Sequence, residues 1–350
     1  MKTPFWKILV PLALLLAGAG ARGEVTGCET VGHVQGVCGF PAPEDMAVLP
    51  GGRHLLLSPF GGISGEHPQS LYVFETETLK AGPVAYRKDD GRWDGGLCDT
   101  DPGEKFGAHG VHISQRQDGS WQLLAVNHDR EAVEMFEIVG AGASEPALAW
   151  RGCVVLPAGS TLNDVAALPG GGFLVSHMMA RSEGDLMAAM AQTGDTGHIW
   201  RWRPGRGVDK LPGSDSNLPN GVAVSDDGRH VYIAETGRRQ VRKLDYASGE
   251  HLGTASVAAD NFTWTPDGRL LTAGITGAMP EGCMTSPGPC LAPFHIAAID
   301  PETLAVTVLH RQSGPPMGAG SVAVLVGDTL YAGSFKGHQL LRINLGEKTD

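Results

Sequence analysis

Short apolar runs recur along this chain in pairs. Each pair is joined by a turn rich in glycine or aspartate and is opened by a polar residue. The clearest copy runs from Asn220 to Glu235 (NGVAVSDDGRHVYIAE), with Asp227-Gly228 as its turn. Variants start at Glu44, His109, Asn163, Asn261 and Ser321. Two apolar runs bounded by turn residues read as a β-hairpin. Six hairpins at intervals of roughly 40 to 65 residues fall in the range of propeller blades. Val241 to Asp245 and Leu340 to Asn344 alternate in the manner of third strands. The pattern predicts an all-β chain folded as a six-bladed β-propeller, whose radial repetition protects sheet edges and leaves a central channel. A β-sandwich is the alternative, but it gives no reason for polar residues at the repeat starts.

Helical periodicity is scarce. Glu183 to Gln192 (EGDLMAAMAQ) resists a strand reading and suits a short helix, either over one mouth of the ring or between blades. No linker, low-complexity tract or charge run divides the chain, so residues 22–350 read as a single propeller domain. Residues 1–21 read as a secretory signal peptide: Lys2 and Lys7 flank the apolar run Ile8 to Leu16, and Ala19-Gly20-Ala21 suits cleavage. An uncleaved anchor is the competing reading. The run is shorter than the about 20 apolar residues of a spanning helix, and no later segment is long and apolar enough to cross a bilayer. The expected location is secreted or periplasmic.

A net charge of −11 without a basic stripe argues against a nucleic-acid partner. Six cysteines in an exported chain favour disulfides over metal thiolates. They permit about fifteen pairings. Cys283 with Cys290 is the simplest local bridge, Cys28 with Cys38 is a similar short loop, and Cys98 with Cys153 remains.

The openers carry the candidate chemistry. A ring of blades aims Glu44, Asn163, Asn220 and the pair Asp260-Asn261 at one axis. All are hard oxygen donors. Carboxylates mixed with amide oxygens suit calcium, whereas magnesium demands strict octahedral geometry and zinc prefers His or Cys. Taken singly, Asn220-Gly221 also reads as a turn, and Asn261-Phe262-Thr263 as a glycosylation sequon at odds with its place in the repeat. Asp45 and Asp164 follow two of the openers and could hold a second, buried calcium if they turn inward. His109 opens its repeat and His128 ends the partner strand, so hairpin geometry can bring the two together. A His pair beside a Lewis-acid cation makes a plausible hydrolytic site, one ring taking a proton from water and the other orienting it. The chain has no G-x-S-x-G elbow, no C-x-x-C, and no phosphate-binding or dinucleotide glycine fingerprint in its required context.

These stretches, in order, resemble the paraoxonase/arylesterase family, within the wider group of calcium-dependent propellers that includes gluconolactonases and strictosidine-synthase-like proteins. They are Glu44-Asp45, Ala108-His109-Gly110-Val111, Val126-Asn127-His128 with Val133 to Phe136, Leu162 to Val165, Asn220-Gly221-Val222, Asp260-Asn261 and Gly320 to Ala323 with Gly333 to Phe335. The resemblance implies two calcium ions in the central tunnel. Glu44, Asn163, Asn220, Asp260 and Asn261 would hold the catalytic ion. Asp45, Asp164 and the backbone carbonyl of Val111 would hold the structural one. His109 and His128 match the histidine dyad. The implied activity is hydrolysis of small-molecule lactones and aryl esters. There are departures. No cysteine lies near the C-terminus, so ring closure must rest on strand pairing. His177-Met178-Met179 replaces an Asp-His pair of the animal proteins, and the 183–192 and 283–290 stretches have no clear counterpart. Two other readings stand beside this one: a calcium-stabilised propeller that only binds, and a gluconolactonase-like sugar-lactone hydrolase with one metal.

Overall fold

The computed structural model describes residues 26–63, 65–88, 91–93, 98–142, 146–181, 188–189, 192–283 and 289–346. The expected leader, residues 1–21, lies outside them. The strands form six sheets arranged in chain order around the ring, all antiparallel except that Ala85–Arg87 pairs in parallel at the outer edge of blade two. The innermost strands of blades one to six are Pro43–Val48, Ala108–Gln115, Ser160–Ala167, Pro219–Val224, Phe262–Trp264 and Gly320–Val326. Each hairpin expected from the sequence forms, and Gln240–Asp245 and Gln339–Asn344 are third strands.

The second strands read as continuous apolar runs because both of their faces are covered. Leu55 and Leu57 pack with the sixth blade, while Leu56 between them packs with the second. In blade two, Leu123 and Ala125 face blade one, and Leu124 and Val126 face blade three. A strand turns successive side chains to opposite faces, so each blade divides its apolar residues between two neighbours. Six such clusters fill the gaps between the six blades. Truncating a fully buried leucine such as Leu56 to alanine should cost about 2–5 kcal/mol.

Strand pairing closes the ring. Val34–Cys38 forms an outer strand of blade six, antiparallel to Gln339–Asn344, from Val34 opposite Ile343 to Cys38 opposite Gln339. The Cys28–Cys38 disulfide pins this segment. Cys98–Cys153 and Cys283–Cys290 are the other two bridges, and there is no free cysteine. Among the described residues, no helix is long and apolar enough to cross a membrane.

Candidate functional site

The openers meet at one end of the axis, and the local backbone explains how. In five of the six inner strands the pairing register shifts at the opener: at Pro43/Asp45, Ala108/Val111, Leu162/Val165, Pro219/Val222 and Gly320/Val322. A β-bulge frees a residue from the ladder and re-aims its side chain. Adjacent residues such as Glu44 and Asp45 therefore need not take opposite faces, and both are buried. Two glycines allow the close approach. A Cβ on Gly110 would lie 2.5 Å from the Asn163 carbonyl oxygen, and one on Gly221 would lie 2.2 Å from that of Asp260. Asn220-Gly221 is thus inner strand rather than turn.

Glu44, His109, Asn163, Asn220 and Asp260 floor a cavity of ≈ 130 Å³. Asn261 lies against Glu44. Its Nδ2 donates to Glu44 Oε1 at 2.8 Å and to the Glu44 carbonyl at 3.1 Å. Ser321 Oγ donates to the same carbonyl at 2.7 Å. Asn261 is 1% exposed, so the sequon is closed to modification. Five buried oxygens at this site have no hydrogen-bond donor: Glu44 Oε2, Asn163 Oδ1, Asn220 Oδ1, Asp260 Oδ1 and Asn261 Oδ1. Unsatisfied buried oxygens are costly. They come from four different blades, with one from each of the five residues the sequence singled out. This donor set matches a hard divalent cation with many oxygen ligands. Among the described residues, no group of three or more His, Cys, Asp or Glu could hold a metal; three of the five oxygens here are amide oxygens.

Asp45 and Asp164 lie beside this floor. Asp45 accepts the N–H of Met46 at 2.8 Å and that of Val111, one blade on, at 2.7 Å. Asp164 accepts from Val165 at 2.7 Å and from Val222, one blade on, at 2.8 Å. Each oxygen takes one donor and keeps further acceptor capacity. Burial, the Asp164 charge and the Glu44 charge push the Asp45 carboxyl well up. Burial and Glu44 do the same to Asp164, and burial, Glu44 and Asp164 to Asp260. Among the described residues, no Lys or Arg forms an ion pair with these carboxylates. Four carboxylates thus crowd one buried region, a charge that bound divalent cations would offset.

His109 Nδ1 lies 2.8 Å from His128 Nε2, as the hairpin geometry requires. His109 Nε2 lies 3.3 Å from Glu44 Oε2. The Phe60 ring packs on His109, with centroids 4.9 Å apart. Burial holds the His128 pKa below its ordinary value against the opposing effect of Glu131. Glu131 is a residue the sequence reading missed. Its Oε1 is 2.9 Å from His128 Nδ1 and accepts from Arg181 Nη1 at 2.5 Å, while Oε2 accepts the Leu162 N–H at 2.8 Å. The one sequence signal is a carboxylate three residues after the second histidine, and a bare i, i+3 pair is too common to single out.

Above the floor the wall is apolar: Phe60, Ile63, Met178, Leu218, Ile275, Met279 and Phe335, with Thr236 the exception. His177 is buried nearby, its Nδ1 accepting the Thr161 N–H at 3.2 Å, and does not line the cavity. Most of the 183–192 stretch lies outside the described residues. Ala188-Ala189 is helical, and Ala189 packs on Met178, Met179 and Leu218, of which Met178 and Leu218 line the cavity. On the opposite side of the cavity, Cys283 and Cys290 pack against Ile275, Met279 and Phe335.

The sequence profile of the family described as SMP-30/Gluconolactonase/LRE-like region matches residues 145–279. Among solved structures, the chain is similar to a gluconolactonase from Xanthomonas campestris, with a TM-score of 0.55 and 15% identity over 89% of each chain. It is similar also to a luciferin-regenerating enzyme, with a TM-score of 0.53 and 16% identity over 89% of this chain and 94% of the other. No curated protein matches it in sequence. At such identities the structural likeness establishes the propeller fold. The family profile, over residues 145–279, points to the gluconolactonase side of the wider group, and the paraoxonase/arylesterase resemblance rests on the motifs alone.

Proposed function

We propose that this chain is a calcium-dependent hydrolase of lactones or esters with an apolar body. The observation that carries the reading is the convergence of five donor-free oxygens beside a hydrogen-bonded histidine pair. Glu44, Asn163, Asn220, Asp260 and Asn261 would hold one calcium. Asp45, Asp164 and the Val111 carbonyl would hold a second, in a structural role. A bound calcium supplies Lewis acidity toward a carbonyl oxygen and stabilises the charge that develops there. The chain's own groups handle the rest. His109 Nε2 faces the cavity floor and takes one proton from water as the hydroxyl adds to the carbonyl carbon. The carbon–oxygen bond of the ring or ester then breaks, and that proton returns to the leaving oxygen. A lactone yields a hydroxy acid, and an ester yields an acid and an alcohol or phenol.

The wall decides between substrate classes. A sugar lactone brings several hydroxyls, each of which needs a polar partner when buried. Phe60, Ile63, Met178, Leu218, Ile275, Met279 and Phe335 offer no side-chain partner of that kind. Alkyl or aryl substituents suit this wall better than the hydroxyls of gluconolactone, for which Thr236 and the floor residues are the polar partners. The apolar leader and three disulfides support export to the periplasm or the outside.

The test is a metal analysis of purified protein coupled to hydrolysis of phenyl acetate, an alkyl-substituted δ-lactone and gluconolactone, with and without excess chelator. The expected result is bound calcium, turnover of the first two substrates, and loss of turnover on chelation. Undiminished turnover in chelator would refute the calcium role. A metal-loaded protein that turns over none of the three would be a binding module. A preference for gluconolactone would select the sugar-lactone reading.

A further inference from the structure

The histidine pair does not end at His128. A chain of contacts runs from His109 Nδ1 to His128 Nε2 at 2.8 Å, from His128 Nδ1 to Glu131 Oε1 at 2.9 Å, and on to Arg181 Nη1 at 2.5 Å. His109, His128 and Glu131 are all buried. Glu131 sits in the turn that follows His128, with φ +45°, a left-handed conformation that non-glycine residues seldom adopt. Such strain persists only where surrounding contacts fix it. Here the contacts are made by the carboxylate itself.

We infer that Glu131 is a positioning residue for the proposed hydrolysis, fixing the tautomers of both histidines so that the bare nitrogen of the pair is His109 Nε2. The logic is one of donors and acceptors. Arg181 donates to Oε1 of Glu131 and the Leu162 N–H donates to Oε2, so both oxygens act as acceptors. An ionised carboxylate has no proton to give. His128 must therefore present N–H at Nδ1, which leaves its Nε2 as an acceptor. His109 then donates from Nδ1, which leaves the lone pair on its Nε2; Glu44 Oε2, 3.3 Å from that nitrogen, competes for the N–H, but Glu131 makes the shorter contact, at 2.9 Å. With no acceptor beside His128 Nδ1, the Glu44 carboxylate beside His109 Nε2 favours the opposite tautomers, which turn an N–H toward the cavity in place of a base. Glu131 also ties blade two to blade three through Leu162, the neighbour of Asn163.

This inference rests on the hydrolase reading for its effect on rate, but the tautomers can be read without turnover. The experiment compares wild type with Glu131→Gln and Glu131→Asp. It uses imidazole nitrogen NMR shifts of His109 and His128, and steady-state hydrolysis of phenyl acetate. In wild type, His128 Nδ1 and His109 Nδ1 should be protonated and His109 Nε2 bare. Glu131→Gln can donate its amide proton to His128 Nδ1, so it should move that nitrogen to the unprotonated shift. It should lower kcat about 10- to 100-fold while KM stays within about twofold, as for other residues that orient a reacting ring. Glu131→Asp, which keeps a carboxylate, should restore the wild-type nitrogen shifts and part of kcat. Wild-type nitrogen shifts and kcat in a folded Glu131→Gln would overturn the inference, as would a bare His128 Nδ1 in wild type. If wild type hydrolyses no ester or lactone, the hydrolase reading falls, and the nitrogen shifts alone decide the place of Glu131.

Discussion

Glu44 and Asn261 stand 217 positions apart in the chain, and the Asn261 amide donates to the Glu44 carboxylate at 2.8 Å. With Nδ2 committed to Glu44, the Asn261 Oδ1 is left without a donor, as are four other side-chain oxygens of the site. The contact joins blade one to blade five across the centre of the ring. If a cation sits there, its removal frees charges that these hydrogen bonds alone do not offset. Asn220→Ala or Glu44→Gln should then weaken calcium retention, measured by calorimetric titration. Unchanged affinity in both variants would exclude these residues as ligands.

Calcium stabilisation should shrink on acidification. Without metal, burial and mutual repulsion hold the Asp45, Asp164 and Asp260 carboxyls well above their ordinary values. Between the unfolded pKa of about 3.9 and the raised native one, the metal-free native chain binds more protons than the unfolded chain. Its stability therefore rises as pH falls through that window. Calcium competes with those protons and loses its advantage there. His112, His295 and His310, held low by burial and outside the proposed ligand set, act in the opposite sense with and without metal and cancel in the difference. The difference in Tm between calcium-loaded and chelated protein should thus fall from about pH 7 to about pH 5. A pH-independent difference would remove these carboxylates from the binding site.

Metal stoichiometry separates two ions from one. Two calciums per chain are expected in wild type, and one in Asp45→Asn or Asp164→Asn. The neutral side chains keep an acceptor for one strand N–H but not the charge. Losing a buried acceptor bond should cost about 1–3 kcal/mol, so the variants should remain folded, at lower Tm. One calcium in wild type would leave Asp45 and Asp164 as inter-blade hydrogen-bond acceptors only.

His109 should be separable from cation binding. It contacts the ligand set through Glu44 at 3.3 Å, yet its other nitrogen is committed to His128. His109→Gln should lower kcat for phenyl acetate about 100-fold, the usual scale for loss of a general base. Calcium affinity should change far less. Unchanged turnover would take His109 out of the chemistry.

The disulfide beside the cavity should set substrate size. Cys283 and Cys290 pack with Ile275, Met279 and Phe335, which line the wall. Replacing both cysteines by serine should raise KM for a long-chain lactone several-fold and leave phenyl acetate little changed. An equal effect on both substrates would point to general destabilisation instead.

Much of this was legible in one dimension. The paired apolar runs announced the hairpins, because a strand buried on both faces needs apolar residues at consecutive positions, as in Leu55-Leu56-Leu57. The polar openers Glu44, His109, Asn163, Asn220 and Asp260-Asn261 stood out because they recur at one point of each repeat. Glu131 was not legible, since it lies outside the repeat and its partners His128, Leu162 and Arg181 come from two blades.

The order of residues by itself determined the number of blades and the oxygen chemistry at their inner ends, which follow from local patterning; it left the cysteine pairing open, and the fold selects Cys28–Cys38, Cys98–Cys153 and Cys283–Cys290. Only the folded ring decided that Asp45 and Asp164 turn toward neighbouring blades. It alone decided that Asn220-Gly221 is strand rather than turn, and that the cavity wall is apolar. The reason is physical: bulges break the alternation from which facing is inferred, and the wall is assembled from loops of different blades whose proximity depends on closing the circle.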